Sequence, residues 1–436
     1  MRPWAILPLL PLCPRPAAAQ APPSHPLNVI VISFDALRAD RLGVLGQKLP
    51  LTPNLDRLAK ESFLFSNAVT QAPWTLPSMS SFFTSTYPHE HQLTNKFSVF
   101  TEDRRELATL PRRMETLAEA FRDNGYRTAA FTGGGGLEGS FGFSRGFDVY
   151  FDSDTFDGFR LTFPLSLNWI RSPDKRPFFL FAHGYDVHGQ YVETDKIKSR
   201  FADPHYRGPF TGSLKEFLKL RMMTIKEEPI HITQADARFW RALYDEKVLR
   251  ADEKFGKFWG DLRRIPRLLD RTVIVVIADH GDQYYEHGGF DHGMTLYEEL
   301  VHVPLIIHVP GRPGRTIKSQ VRLVDVMPTL LDLCRLHVTP RLRAQMKGRD
   351  LDPLMEGRPS PRQAVSETDF LLQSFKRSLR TAGGLKLIYD LENLRGELYD
   401  LKTDPGEHHD LRKEKPGLAR RLTRRLFKAL GMKSPE

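Results

Sequence analysis

Cysteine is nearly absent: the 436-residue chain has two, Cys13 and Cys334. So few exclude a disulfide framework and a cysteine-built metal centre. Cys334 falls in an apolar helical pattern over residues 326–336 and reads as an inert core thiol. No asparagine stands in an N-x-S/T sequon, so N-glycosylation is not expected. No apolar run approaches the about 20 residues a membrane-spanning helix needs. Excess charge is also missing from most of the chain. The formal net charge of +10 raises nucleic acid or a membrane surface as partners. Yet residues 411–436 carry nine basic and two acidic side chains, and Arg2 and Arg15 lie near the N-terminus. What lies between is close to neutral, so nucleic acid is not an expected partner.

What is present begins with a leader. Arg2, the apolar stretch 4–12 and the small residues Ala17, Ala18 and Ala19 describe a signal peptide over residues 1–21. An exported protein, secreted or periplasmic, is expected. Beyond it, continuous apolar runs alternate with helical patterns. The runs are 28–33 (NVIVIS), 127–131, 178–182, 272–278 (TVIVVIA) and 304–308; the helical patterns cover 54–62, 114–124 and 233–264. Runs apolar on both faces suit central strands covered by helices. The alternation predicts an α/β fold with a largely parallel central sheet and helices on both faces. Residues 153–220 read as loop-rich. After about residue 360, alternating stretches at 385–391 and 396–401 predict a small antiparallel sheet. The expected organisation is a catalytic α/β domain over 27–358, an antiparallel subdomain over 359–410 and a basic amphipathic tail helix over 411–436.

In such sheets, ligands bind outside the carboxyl ends of the strands. Asp35 and Asp279 are each the first acid after a buried strand, and His280 follows in Asp279-His280-Gly281-Asp282. Two carboxylates and an imidazole form a reasonable set of ligands for one divalent cation. A third element is Thr75-Leu76-Pro77-Ser78. Pro77 suits a first helical turn, which puts Thr75 at or beside the N-cap, where an anion would meet free N–H groups. Thr75 acting only as a cap is the other reading.

The ordered motifs resemble those of sulfatases, in the alkaline phosphatase superfamily. They are Asp35-Ala36-Leu37-Arg38-Ala39-Asp40, Thr52-Pro53-Asn54-Leu55-Asp56, Thr75-Leu76-Pro77-Ser78, Asp279-His280-Gly281, Leu296-Tyr297-Glu298-Glu299, Val303-Pro304-Leu305 and Glu397-Leu398-Tyr399-Asp400-Leu401, with Asp404-Pro405-Gly406-Glu407 near the end. The resemblance runs from about residue 28 to 411 and implies an alkaline phosphatase-like fold. It also implies in-line attack on sulfur or phosphorus. Position by position it makes Asp35, Asp279 and His280 metal ligands and Thr75 the nucleophile that also touches the metal. It makes His188 a contact to the bound ester and puts His292 beside the leaving group, with His183 joining them as substrate-binding.

Three departures qualify what the resemblance implies. The nucleophile position is Thr75 rather than Cys or Ser, and Met79 replaces an Arg; threonine cannot yield formylglycine, so none is expected. Ala36 stands where many sulfatases have a further metal-binding Asp. The run Thr132-Gly133-Gly134-Gly135-Gly136 replaces a Lys and a His; it reads as a flexible turn or as a backbone cradle for an anion. Asp186 and His188 lack the Asp-x-x-x-His spacing of two-metal relatives, which leaves one divalent metal, with Ca, Mg or Mn favoured over Zn.

The leading expectation is a metal-dependent hydrolase of a sulfate or phosphate ester, small or polymeric, working through a covalent intermediate on Thr75. The alternatives are a phospho- or phosphoglycerol-type transferase and a non-catalytic anion-binding protein. In the tail, Leu418, Leu422, Leu426 and Leu430 recur every four residues opposite Arg420, Arg421, Arg424, Arg425 and Lys428. That pattern fits packing on the domain or contact with a membrane surface or polyanion. On either reading, deleting 412–436 is expected to spare turnover of a small ester.

Overall fold

The computed structural model describes residues 26–100, 105–152, 156–189 and 199–435. The segment expected to be a signal peptide, with Cys13, lies outside the described residues. An eight-stranded sheet forms the centre. In chain order its strands are β1 (Asn28–Phe34), β2 (Phe63–Phe65), β3 (Arg127–Thr132), β4 (Val149–Asp152), β5 (Phe178–Gly184), β6 (Thr272–Ala278), β7 (Leu305–His308) and β8 (Arg315–Ile317). They lie side by side as β8-β2-β7-β6-β1-β5-β3-β4. β1, β5 and β6 are buried along their whole length, the environment that runs apolar on both faces require. β7 runs antiparallel to β6 and β2, while every other neighbouring pair in this sheet is parallel. The connection from β6 to β7 has no long crossover helix; it holds the short strands Gln283–Tyr284, Phe290–Asp291 and His302–Val303 and the four-residue helix Glu298–Val301.

Helices α1 (Pro53–Lys60), α2 (Thr75–Thr84), α3 (Leu117–Asp123), α4 (Phe159–Ile170), α5 (Leu214–Ile225) and α6 (Gln234–Arg263) surround the sheet. Thr233 caps the thirty-residue α6, accepting from the Asp236 amide while the Asp236 carboxylate answers the Thr233 amide. The stretch read as loop-rich contains α4 and the start of α5. α4 escapes notice because FRLTFPLSLNWI is apolar on most sides and holds Pro164, so no 3.6-residue period stands out. It buries Phe159, Phe163, Leu167 and Ile170 on one face and exposes Arg160, Pro164 and Asn168 on the other. Phe163 stacks between Phe159 and Phe258 of α6, with ring centroids 4.1 Å apart on each side.

The C-terminal sheet has four strands where the sequence suggested two: β9 (Ala364–Phe370), β10 (Ser374–Arg380), β11 (Leu385–Asp390) and β12 (Arg395–Asp400), in simple antiparallel succession. Helix α7 (Pro416–Ala429) lays Leu422, Leu426 and Phe427 against Leu379, Leu387, Tyr389 and Leu398 of this sheet. Its arginines face outward, so the leucine side is not available to a membrane surface. Deleting 412–436, expected from the sequence to spare turnover of a small ester, would remove Ala419, Leu422, Leu426, Phe427 and Leu430 from this core. No helix among the described residues is long and apolar enough to cross a membrane.

Buried charges fasten the C-terminal sheet to the central unit. Lys386 on β11 reaches Glu298 at 3.0 Å and Glu407 at 2.9 Å, and Arg380 reaches Glu298 at 2.9 Å. β9 docks beside the loops at the top of the large sheet, with Ser366 Oγ donating to Thr70 O (2.6 Å) and Thr368 Oγ1 to Gly293 O.

Candidate active site

Because β1 lies between β5 and β6, the residues that follow these strands meet at one edge. Asp35 follows β1, Asp279 and His280 follow β6, and His183 is near the end of β5. One ligand atom from each of Asp35, Asp279 and His280 lies within 4.8 Å of the others, and all three residues are fully buried. Asp279 Oδ1 accepts from the amides of Ala36 (3.2 Å) and His280 (2.9 Å), but its Oδ2 has no hydrogen-bond partner, and neither has Asp35 Oδ1. His280 Nδ1 meets the Gly281 carbonyl at 2.7 Å, so Nδ1 carries the proton and Nε2 keeps its lone pair. That lone pair faces Asp279 Oδ2 at 3.5 Å and Asp35 Oδ1 at 3.9 Å. Burial, then the charge of Asp279, pushes the Asp35 carboxyl well above its ordinary value. Two dry carboxylates facing each other with unmatched oxygens suit a divalent cation between them.

Thr75 is the first residue of α2, following Trp74 at the N-cap. Its hydroxyl does not cap the helix. It donates to Asp35 Oδ2 at 3.1 Å and lies 3.4 Å from His280 Nε2. Ser78, one turn on, locks the helix to the loop after β6 by donating to Asp279 O at 2.6 Å.

The remaining sequence-selected histidines divide. His188 and His292 line the pocket above Thr75, with ring centroids 4.8 Å apart. His292 Nδ1 lies 2.9 Å from Asp291 Oδ1 and 3.4 Å from Asp282 Oδ1. Burial pulls its pKa down, but these two carboxylates outweigh burial and hold it well above the ordinary value. His188 goes the other way, lowered by burial and then by the neighbouring His292 and His280. His183 does not fit the expectation of substrate contact. It is fully buried outside the pocket lining, with Nε2 3.3 Å from Asp35 Oδ2, where it steadies that carboxylate. Asp186 is turned away from the Asp35, Asp279 and His280 cluster, accepting from the Phe159 amide and pairing with Lys254.

The pocket has a volume of about 310 Å³, the low end for small-molecule sites. Sequence reasoning missed much of its wall: Asn95, Lys96, Tyr185, Arg221 and Phe370. Lys96 and Arg221 add positive charge, and Arg221 also pairs with Asp291. Apart from Tyr185, which lies between His183 and His188, none sits in a motif; the only signal was the abundance of loops and the late strand that bring them in. The glycine run is a close contact rather than a flexible turn. A Cβ on Gly136 would sit 2.7 Å from Thr75 Cβ, and one on Gly133 would sit 2.1 Å from Asp157 O. Tyr185 Oη pins the run, donating to Gly134 O at 2.8 Å and accepting from the Gly136 amide at 3.0 Å.

A family model described as Sulfatase matches residues 27–336, and one described as N-sulphoglucosamine sulphohydrolase, C-terminal, matches 285–432. The Delta 4,5-hexuronate-2-O-sulfatase of Bacteroides thetaiotaomicron is 25% identical, over 93% of this chain and 88% of that protein. The choline-sulfatase of Rhizobium meliloti is also 25% identical, over 92% and 85%. Among solved structures, the phosphonate monoester hydrolase of Agrobacterium radiobacter shares the fold with a TM-score of 0.69 at 19% identity, covering 92% of this chain and 95% of that one. With the family model spanning most of the chain and both catalytic-edge carboxylates inside it, the protein belongs to the sulfatase family.

Proposed function

We propose that the protein is a metal-dependent hydrolase of sulfate or phosphate esters in which Thr75 is the nucleophile. The observation that carries this is the Thr75 hydroxyl, 3.1 Å from Asp35 and 3.4 Å from His280 at a cluster of unmatched buried oxygens. Asp35, Asp279 and His280 would hold one divalent cation; their oxygen-rich donor set favours Ca, Mg or Mn over Zn. Such a cation supplies positive charge to the oxygens of the reacting group and acidifies a nearby hydroxyl.

The chain's own groups account for the rest. Asp35 Oδ2 accepts the hydrogen bond from Thr75 and orients Oγ1 toward the pocket. Thr75 Oγ1 gives its proton to Asp35 Oδ2 as it forms a bond to sulfur or phosphorus and the bond to the ester oxygen breaks. His292, kept protonated by Asp291 and Asp282, gives the departing oxygen its proton. The same residue, then neutral, takes a proton from the water that cleaves the threonine ester, and Asp35 returns its proton to the released Thr75 oxygen. His188 contacts the bound group, and Lys96 and Arg221 draw an anionic substrate in. No formylglycine is involved, since threonine lacks the chemistry to form it. The basic start, apolar run and small residues of the N-terminal segment support export, to a secreted or periplasmic location.

The test is a panel of aryl sulfate, phosphate monoester, phosphodiester and phosphonate, each with Ca, Mg, Mn and Zn, against the parent and Thr75→Ala. Turnover in the parent and none in the variant is expected, with a sulfated or phosphorylated Thr75 peptide trapped by rapid acid quench and mass spectrometry. Turnover undiminished in Thr75→Ala refutes the mechanism. Thermal stabilisation by the metal with no turnover on any ester favours a binding protein.

A further inference from the structure

A second concave site lies away from Thr75, where five segments meet: the turn after α2, the residues before α7's partner sheet, the loop at 347–349, Arg322, and α7 itself. The cavity measures about 440 Å³, and its lining includes His89, Arg322, Lys347, Arg349, Arg362 and Arg425, with no acidic residue. Its base is built rather than incidental. Arg322 and Arg362 are more than nine-tenths buried and share one carboxylate, Asp325, at 2.6 Å and 2.9 Å. Arg322 also donates to Tyr87 Oη at 2.9 Å and Arg362 to Arg349 O at 2.9 Å, which fixes both guanidinium planes. Lys347 pairs with Glu90 at 3.0 Å, and His89 with Glu367 at 2.7 Å. Arg349 and Arg425 have no carboxylate partner among the described residues; Arg425 donates to the Gln363 side chain at 2.7 Å. Of five permanent cations, Arg322, Arg362 and Lys347 pair with two carboxylates, Asp325 and Glu90, and Arg349 and Arg425 are left as surplus at the mouth.

Folding does not require such a surplus, since like charges brought together repel. The fold holds this one in place with backbone bonds: Lys347 N to Ser85 O at 2.7 Å, and Arg349 N to Asp325 Oδ1 at 2.8 Å. We propose that this pocket binds a tetrahedral oxyanion group, sulfate or phosphate, carried on an acidic saccharide chain. Guanidinium forks match that geometry. A chain rather than an isolated ion is favoured because the outward face of α7, with Arg420, Arg421, Arg424 and Lys428, continues the positive surface from Arg425. A lipid surface is disfavoured, because the apolar side of α7 is consumed by the sheet and has nothing to insert. The site is separate from the ester-cleaving pocket: Val365 at one end of β9 lines this cavity and Phe370 at the other end lines that one. At about 3.3 Å per residue the two are roughly 17 Å apart along the strand.

The test uses the full-length protein with Thr75→Ala, so that no probe is consumed, and titrates inorganic sulfate, a heparin-derived tetrasaccharide and vesicles rich in anionic lipid. Binding is read by calorimetry and, for vesicles, by cosedimentation. The expectation is tetrasaccharide binding that Arg349→Gln with Arg425→Gln weakens about tenfold or more, and that Arg349→Lys with Arg425→Lys largely restores. Both residues are exposed, and an unchanged melting temperature shows that the fold is intact. Sulfate binding with equal affinity per site and no gain from the saccharide assigns the pocket to a free ion and overturns the chain. Tetrasaccharide binding indifferent to both pairs of substitutions overturns the site, as does vesicle binding that is lost with them.

Discussion

Replacing Lys386 by Met tests whether buried charge, rather than apolar contact alone, fastens the C-terminal sheet. The Lys386 side chain is fully buried and bridges Glu298 (3.0 Å) and Glu407 (2.9 Å). Methionine preserves much of the side chain's bulk and removes the cation, leaving two carboxylates out of water. Removing one partner of a buried ion pair costs about 3–5 kcal/mol. Spread over an unfolding entropy of roughly 2 cal/mol/K per residue, that lowers Tm by about 4–6 °C. The loss should depend on pH. Burial pushes the Glu407 carboxyl up to about 7; Lys386 opposes this and Glu298 reinforces it. Without Lys386 the folded-state pKa rises further above its unfolded value. A carboxyl raised in this way stabilises the fold fully below its unfolded pKa, and the contribution is lost as pH rises through the folded one. The deficit relative to parent should therefore be larger at pH 8.5 than at pH 6, and Glu407→Gln added to Lys386→Met should flatten the difference. Melting is followed by circular dichroism or calorimetry at both pH values. A Tm within about 1 °C of parent at pH 8.5, or a deficit equal at the two pH values, would refute the reasoning.

Other perturbations follow from single contacts. Gly136→Ala places a methyl 2.7 Å from Thr75 Cβ, so steady-state assays should show turnover down at least about tenfold while the melting temperature changes little. Cys334 is buried, and burial raises its thiol to about 12; native protein at pH 8 should not react with a thiol-specific disulfide reagent through Cys334, and should do so once denatured. His91 is held at about 3 by burial, its Nδ1 accepting from the Leu93 amide at 3.1 Å and its Nε2 facing Ser81 Oγ at 3.1 Å. It folds neutral, so its contribution is present above the unfolded pKa near 6.5 and fades as pH falls toward 3. Unfolding free energy should drop by up to about 1.4 kcal/mol per pH unit below 6.5 from this residue, a slope that denaturant titrations should find reduced in His91→Asn.

Much of the site was legible because its chemistry sits directly after strands whose apolar runs are unmistakable. Asp35 after β1 and Asp279-His280 after β6 needed only the rule that ligands gather at strand carboxyl ends. Thr75 was harder. Its local sequence fits an ordinary helix start, and only the three-dimensional approach of α2 to Asp35 shows that its hydroxyl bonds that carboxylate instead of capping its own helix. His183 and His188, five residues apart, both read as substrate-binding in sequence, yet the end of β5 buries the first outside the pocket and the following turn places the second in its lining. Helix α4 was invisible because its exposed face holds Pro164 between Arg160 and Asn168 while its buried face holds Thr162 and Ser166, which blurs the polar stripe. The pocket wall was invisible for a different reason: Lys96, Arg221 and Phe370 come from segments far apart in the chain, and nothing local marks their convergence. The four-stranded meander was half seen, since β9 and β10 carry buried charged residues such as Glu367 and Arg377 that hide the alternation.

The place of β9 sets the order in which the site can come into being. Phe370, at its end, packs edge-on against Trp74 with ring centroids 5.3 Å apart and closes the pocket beside Thr75. β9 in turn belongs to a sheet whose apolar face is covered by α7, and α7 ends at Ala429 of 436 residues. A ribosome-bound chain could therefore bring Asp35, Thr75, Asp279 and His280 together and still lack a settled Phe370 wall until α7 emerged to cover the sheet. Truncation within α7 should loosen that wall while leaving the Asp35, Asp279 and His280 cluster, carried by the central sheet, in place.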